Sequence, residues 1–241
     1  MKIRWLIYAG FFVILLLVFY LFLFKYIDTS RSKLAVINEN VQNFSFTGQN
    51  GNAVTDRDID GKVYVAEFFF TTCQGLCPRM NANMRRVYEV YKNEPGFAIL
   101  SHSCMPEVDS VPKMKQYEQR MLNATVEKAK DGSYRLDETA PAAELISTNW
   151  YFLTGNKADL YKMARNSYMI DDNRRDTTLK MRDQFIHSQF FSLVDKQRRV
   201  RGIYDGTKTD EVDKMITDIK DLLKEKSNHR NFLNNMGNTP N

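Results

Sequence analysis

The sequence predicts an α/β sandwich preceded by one amino-terminal transmembrane helix. Three observations carry this. An uncharged apolar run opens the chain, β-forming runs then alternate with stretches at helical spacing, and the pattern closes on a hairpin followed by an amphipathic helix. The 241 residues suit one domain once the opening run is set aside.

Residues Trp5 to Phe24 carry no charge. At about 1.5 Å per residue they reach ~30 Å, the thickness of a bilayer core. The run is longer than the apolar part of a cleaved signal, and no small-x-small site precedes Lys25, so the sequence predicts a retained anchor. Lys2 and Arg4 flank its amino end, while Lys25 on the far side is offset by Asp28. The positive-inside rule then leaves residues 1–4 cytoplasmic, as the end of a single-pass protein of the inner (cytoplasmic) membrane with its globular domain on the periplasmic side. Residues 25–40 are polar and mixed in charge, which predicts a linker. The domain is expected over 41–226, followed by an Asn-rich disordered tail over 227–241.

Within the domain, Asn43 to Gly48 alternates apolar and polar side chains, and the turn chemistry of Gln49 to Asn52 completes a short hairpin. Val63 to Phe70 is a near-continuous run of β-formers, as in a central strand covered on both faces. From Pro78 the period changes: Met80, Met84, Val87, Val90 and Tyr91 recur at helical spacing. Phe97 to Leu100 reads as a second buried strand, Pro112 to Leu122 and Lys157 to Ser167 as helices. Phe190 to Asp195 and Val200 to Tyr204 bracket a polar turn as a hairpin, and Val212 to Leu223 forms the last amphipathic helix. Strands and helices in this order describe a sandwich of thioredoxin type. Two polar stretches, Asn123 to Thr148 and Asp171 to Asp183, are expected as surface insertions.

The formal net charge is +5, but basic and acidic residues are interspersed, which argues against a nucleic-acid partner. Three cysteines are too few for a disulfide scaffold, and the odd count leaves one thiol over. Two of them, Cys73 and Cys77, sit where the buried strand gives way to the helix beginning near Pro78. Orphan amides and the positive end of a helix dipole favour anions there, and thiolate is both the nucleophile and the metal ligand. A four-residue step brings the two thiols to one face, with Cα atoms about 6 Å apart. Disulfide chemistry and metal binding both fit, as does a plain structural disulfide. Among the histidines, His229 lies in the tail and His102 reads as structural, while His187 precedes the strand whose entry loop faces the cysteine turn in such a sheet. Two thiolates and an imidazole select copper, Cu(I) or Cu(II), ahead of zinc, which asks for a fourth ligand.

Phe68-Phe-Phe-Thr-Thr-Cys73-x-x-x-Cys77-Pro78 is followed in order by Ser103 with Pro106 and Asp109, by Trp150-Tyr-Phe-Leu-Thr-Gly155, and by His187-Ser188 before Phe190 to Asp195. This ordered set, spread over about Asn43 to Lys224, resembles the signature of the Sco/SenC family. The resemblance implies a membrane-anchored, thioredoxin-like copper chaperone that binds one copper through Cys73, Cys77 and His187. It further implies a role in assembling the copper centre of cytochrome c oxidase, with a copper-accepting oxidase subunit or another copper protein as partner. Reduction of the target's cysteines is the alternative.

Two positions depart from the pattern. Cys104-Met105 stands where an aliphatic residue and Asp usually precede the proline, and Ile186 stands where many members have Asp beside the histidine. Cys104 and Met105 are therefore candidate accessory sulfur donors, with Cys104 as a possible resolving thiol; the plain alternative is a small buried hydrophobe. Met80 and Met84 have the spacing of core fillers. A thiol-disulfide oxidoreductase or redox sensor using the Cys73–Cys77 pair is the rival function, although Ser188 replaces the cis-proline of thioredoxins. A thiol peroxidase is disfavoured, because Phe70 holds the position where such enzymes carry threonine.

Overall fold

The computed structural model describes residues 2–26, 34–73, 75–139, 143, 149–171 and 189–225. Helix α1 covers Lys2–Tyr26. Its described side chains run unbroken only from Gly10 to Phe22, all exposed. Among the described residues no helix is long and apolar enough to cross a membrane, so the span expected over residues 5–24 is not shown by the structure.

The domain is built on a seven-stranded sheet ordered β2-β1-β7-β4-β3-β8-β9. Its centre is β3, Val63–Phe69, parallel to β4, Phe97–Ser103, which is parallel in turn to β7, Trp150–Thr154. Every residue of β3 and β4 is buried, as an apolar run with no alternation requires. β1, Ser45–Gly48, and β2, Ala53–Thr55, form the expected hairpin and add antiparallel to β7. On the other side β8, Phe190–Val194, pairs antiparallel with β3 and turns back into β9, Val200–Asp205.

Side chains divide by parity between two cores. One holds Val63, Val65 and Phe69 with Ile99, Trp150 and Leu193, and is covered by α2 (Cys77–Tyr91), α3 (Val111–Asn123) and α5 (Thr209–Lys224). The other holds Tyr64, Ala66 and Phe68 with Leu100 and Leu153, under Val41 to Ile59 and helix α4, Lys157–Lys162. Burial of each large apolar side chain contributes about 1.5–3 kcal/mol, so strands apolar on both faces dominate the stability. The helix expected to Ser167 changes to a π-helical turn over Met163–Ser167. Asn156 caps its start, the side-chain oxygen accepting from the amides of Ala158 and Asp159.

Two parts differ from the sequence expectation. β7 falls in the apolar stretch after Asn149 that the periodicity reading left unassigned. Inside the expected insertion, β5 (Thr125–Lys128) and β6 (Tyr134–Asp137) form a two-stranded ribbon of their own. It packs over α2 through Arg86, whose guanidinium lies 3.9 Å from the Tyr134 ring centre. The second insertion beyond Asp171 and the tail over 227–241 lie outside the described residues.

The chain joins the domain at Leu34 to Asn38. The amide of Ile37 donates to the carbonyl of Val200 at 2.8 Å, and the amide of Val200 to that of Asn38 at 2.9 Å. Buried Arg201 secures the junction. It donates to Asp195 at 2.8 Å, to Glu225 at 3.0 Å and to the carbonyl of Leu34 at 2.8 Å. Satisfying a buried guanidinium on several sides is what makes its burial tolerable.

Candidate metal and redox site

β3 ends at Phe69, and the chain turns through Thr71 to Leu76 before Cys77 opens α2. Pro78 lies in the first helical turn, where a missing amide hydrogen costs nothing, and the preceding Leu76 provides no side-chain cap. Cys73 stands in the turn, its amide donating to the carbonyl of Phe70 at 3.2 Å. The structure pairs Cys73 with Cys77 as a disulfide, with Cα atoms 5.9 Å apart. The two sulfurs differ in access. Cys73 is half-buried, whereas Cys77 is buried and flanked by exposed Leu76. An incoming group therefore meets Cys73 first.

The turn is braced from the next strand. Asp109, fully buried after β4, accepts from the amide of Thr71 at 3.2 Å and its hydroxyl at 2.7 Å, and from the Ser103 hydroxyl at 2.5 Å. The amide of Cys104 donates to the carbonyl of Phe69 at 2.8 Å. One carboxylate thus holds the ends of both central strands in register at the site, which charge-assisted bonds of this kind do well.

The other sequence candidates are placed differently. His187 and the neighbouring Ser188 and Ile186 lie outside the described residues. Cys104 is a free, buried thiol in the core on the sheet face opposite α2, and burial pushes its pKa up to about 12. Met105 is half-buried against the same core. Met80 and Met84 fill the core under α2. Among the described residues no three His, Cys, Asp or Glu side chains converge as a metal site would require, so within that set the paired sulfurs stand without a third donor.

Sequence comparison bears on this arrangement directly. The sequence signature of SCO1/SenC proteins matches residues 35–224, which includes the cysteine turn, the bracing aspartate and every strand of the sheet. The chain belongs to the SCO1/SenC family. It is 28% identical to the SCO1 protein homolog of Bacillus subtilis (strain 168) over 186 residues, covering 76% of this chain and 83% of that one. Among solved structures it is similar to a SCO1/SenC family lipoprotein from Bacillus anthracis str. Ames, at 28% identity and TM-score 0.59, covering 78% of this chain and 97% of that one. It is likewise similar to BsSco, a member of the Sco family of cytochrome c oxidase assembly proteins in which a disulfide switch was identified. That match has 26% identity and TM-score 0.59, covering 81% of this chain and all of the other. The thioredoxin-like fold expected from sequence is the fold of this SCO1/SenC chain.

Two ionisable groups are buried in the central strands of this SCO1/SenC domain: His102, which the sequence reading took as structural, and Glu67, which it did not single out. His102, on β4, is fully buried, stacked on Phe68 with ring centroids 5.1 Å apart, and its Nε2 meets the Tyr168 hydroxyl at 3.2 Å. Burial pushes its pKa down to about 3, so it is a neutral core side chain. Glu67, on β3, lies under α2 and α3; its carboxyl accepts from the Ser101 hydroxyl at 2.6 Å. Burial pushes its pKa up to about 7, with the Ser101 bond opposing the shift. The available signal was a lone carboxylate in the middle of an otherwise apolar strand.

Proposed function

We propose that this SCO1/SenC chain is a membrane-anchored copper metallochaperone. Reduced Cys73 and Cys77, with His187 as third donor, hold one copper ion as cargo for a copper-accepting subunit of a respiratory oxidase or another copper protein. The observation that carries this reading is the pair of sulfurs at the β3–α2 turn, one open to a partner and one at a helix start that favours thiolate. Two thiolates with an imidazole make a soft, low-coordinate set that suits Cu(I) and also accepts Cu(II). An ion so held passes to a partner by ligand exchange, because Cys73 faces outward. Membership of the family to which BsSco belongs, described as cytochrome c oxidase assembly proteins, supports the same assignment. The apolar run over residues 5–24 serves as the anchor in the inner (cytoplasmic) membrane, with the domain on the periplasmic side, where thiols and disulfides interchange.

The reduced full chain in detergent, titrated with Cu(I) and with Cu(II), is expected to bind one ion per molecule. Cys73→Ser, Cys77→Ser and His187→Ala each weaken binding at least about tenfold, or ~1.4 kcal/mol. Wild type binding no tighter than these variants overturns the chaperone reading. The pairing of Cys73 with Cys77 favours a second reading, thiol-disulfide exchange on a partner's cysteines. Reduction of a model disulfide that needs both cysteines and is indifferent to His187 is its signature.

A further inference from the structure

Where the chain joins the domain, it carries apolar side chains outward. Leu34 packs against the core that α2, α3 and α5 cover, and Val41 is fully buried in the core on the other sheet face. Between them Ala35, Val36 and Ile37 are exposed in succession, Val36 by 37% and Ile37 by 47%. Three consecutive exposed apolar residues are a liability that a water-facing surface avoids unless they serve a function. The other large exposed apolar side chains described in the domain, Leu76, Val90, Met169 and Phe190, occur one at a time along the chain.

The strip is fixed in this pose. Its backbone is tied to β9 through the bonds of Ile37 and Asn38 with Val200, and the Arg201 guanidinium holds the carbonyl of Leu34. The Asn38 side chain donates to the carbonyls of Asn166 at 3.1 Å and Ser167 at 2.8 Å. What covers the strip must therefore come from outside, and its place in the chain says from where. Helix α1 ends at Tyr26, and the linker 27–33 lets Leu34 stand at most ~29 Å away, less than the ~40 Å width of a domain of this size. With α1 in a bilayer, the strip stays beside the lipid surface. Charge does not govern the contact, because the cations around it are matched. Arg198 pairs with Asp56, Arg199 with Asp195, Arg201 with Asp195 and Glu225, and Lys224 with Asp221. Lys196 donates to the carbonyls of Leu223 and Glu225, and exposed Glu39 offsets its charge.

We propose that Ala35, Val36 and Ile37 form a second membrane contact, seated at the boundary between headgroups and acyl chains of the bilayer that holds α1. The inference rests on the anchor reading of residues 5–24. Apolar side chains settle about 5–10 Å into that boundary without spanning it, and matched charges nearby leave the hydrophobic effect as the driving force. The contact pins the entry edge of β9 to the lipid. The height of the Cys73–Cys77 turn above the bilayer is then set by the length of the domain and not by the linker.

The test uses the full chain in its disulfide form with Cys104→Ser, one chain per phosphatidylcholine nanodisc, nitroxide-labelled at Val36→Cys, Ile37→Cys, Lys208→Cys or Leu15→Cys. Lys208 is exposed just past the far end of β9, and Leu15 lies within α1. Power saturation reads collisions with oxygen, which concentrates in lipid, and with a nickel chelate, which stays in water. The ratio of oxygen to nickel collisions is expected to be at least about threefold higher at positions 36 and 37 than at 208, and unchanged in molar salt, because an apolar contact is not screened. Water-like ratios at 36 and 37 beside a lipid-like ratio at 15 overturn this proposal and leave the anchor reading standing. A water-like ratio at 15 overturns the anchor reading, and this contact with it. Loss of the raised ratio in high salt overturns the apolar contact. Spin–spin broadening between labels at 36 in discs that hold two chains assigns the strip to a second copy and overturns the proposal as well.

Discussion

His102 shows how a single buried side chain ties the stability of this domain to pH. Its pKa falls from 6.5 unfolded to about 3 folded, so between those values the unfolded chain binds the extra proton. The stabilisation is full above 6.5 and is lost as pH drops towards 3. At a pH of about 5 the loss is ~2 kcal/mol. Denaturant midpoints should show it, and His102→Phe, which keeps the ring stack on Phe68, should remove that share of the acid sensitivity. An unchanged acid dependence in the variant would refute the assignment. At this scale the sequence was partly legible. Cys73, Cys77 and Asp109 stand in a motif whose order is visible in one dimension. Glu67 was not, because a strand covered on both faces loses the alternation that marks which polar residue points inward.

At the scale of elements, the cysteine turn depends on a strand it does not belong to. Asp109 reaches from beyond β4 to the amide and hydroxyl of half-buried Thr71 and to buried Ser103, so Asp109→Ala leaves three donors, one of them fully buried, without this acceptor. A loss of about 2–4 kcal/mol in unfolding free energy is expected, together with faster reduction of the Cys73–Cys77 disulfide. Stability and reduction rate both within error of wild type would exclude the bracing role. The β3, α2, β4 and α3 elements were readable because each keeps one period for long enough. β7 and the β5–β6 ribbon were not: β7 was visible only as part of the family motif, and the ribbon lies in a polar stretch whose fold depends on non-local packing of Leu136 on the core and of Arg86 on Tyr134.

For the molecule as a whole, register fixes where the chain enters relative to the site. Tyr64 pairs with Val194 and Val194 with Val200, so Val200, where Leu34 to Asn38 docks, lies at the start of β3. The cysteines follow its other end. An anchor over residues 5–24 would therefore leave the dithiol facing away from the bilayer. In nanodiscs doped with headgroup-nitroxide lipid, amide signals of Asn38 and Arg198 should broaden well before those of Thr72 and Leu76, and the reverse order would contradict this orientation. The same junction carries the buried Arg201 cluster with Asp195 and Glu225. Arg201→Ala takes the buried guanidinium away from Glu225 and from Asp195, which keeps Arg199, and is expected to cost about 1.5–3 kcal/mol, read from the thermal midpoint; no change in that midpoint would refute its place in the fold. The α/β order was legible from the sequence, but this pole-to-pole layout was not, since it follows from strand pairing.

The docked segment also closes a seam. A sheet that ends in a long bare strand invites a second molecule to add to it, which is how many β-containing domains precipitate. Here one outermost strand, β2, is three residues long and is followed by the charged run Asp56, Arg57 and Asp58. The other, β9, has its first residue already taken by Asn38 of its own chain. The first margin is too short to template a second strand, and on the second the docked segment shortens the free run to Arg201–Asp205, so an added strand would have to pair there.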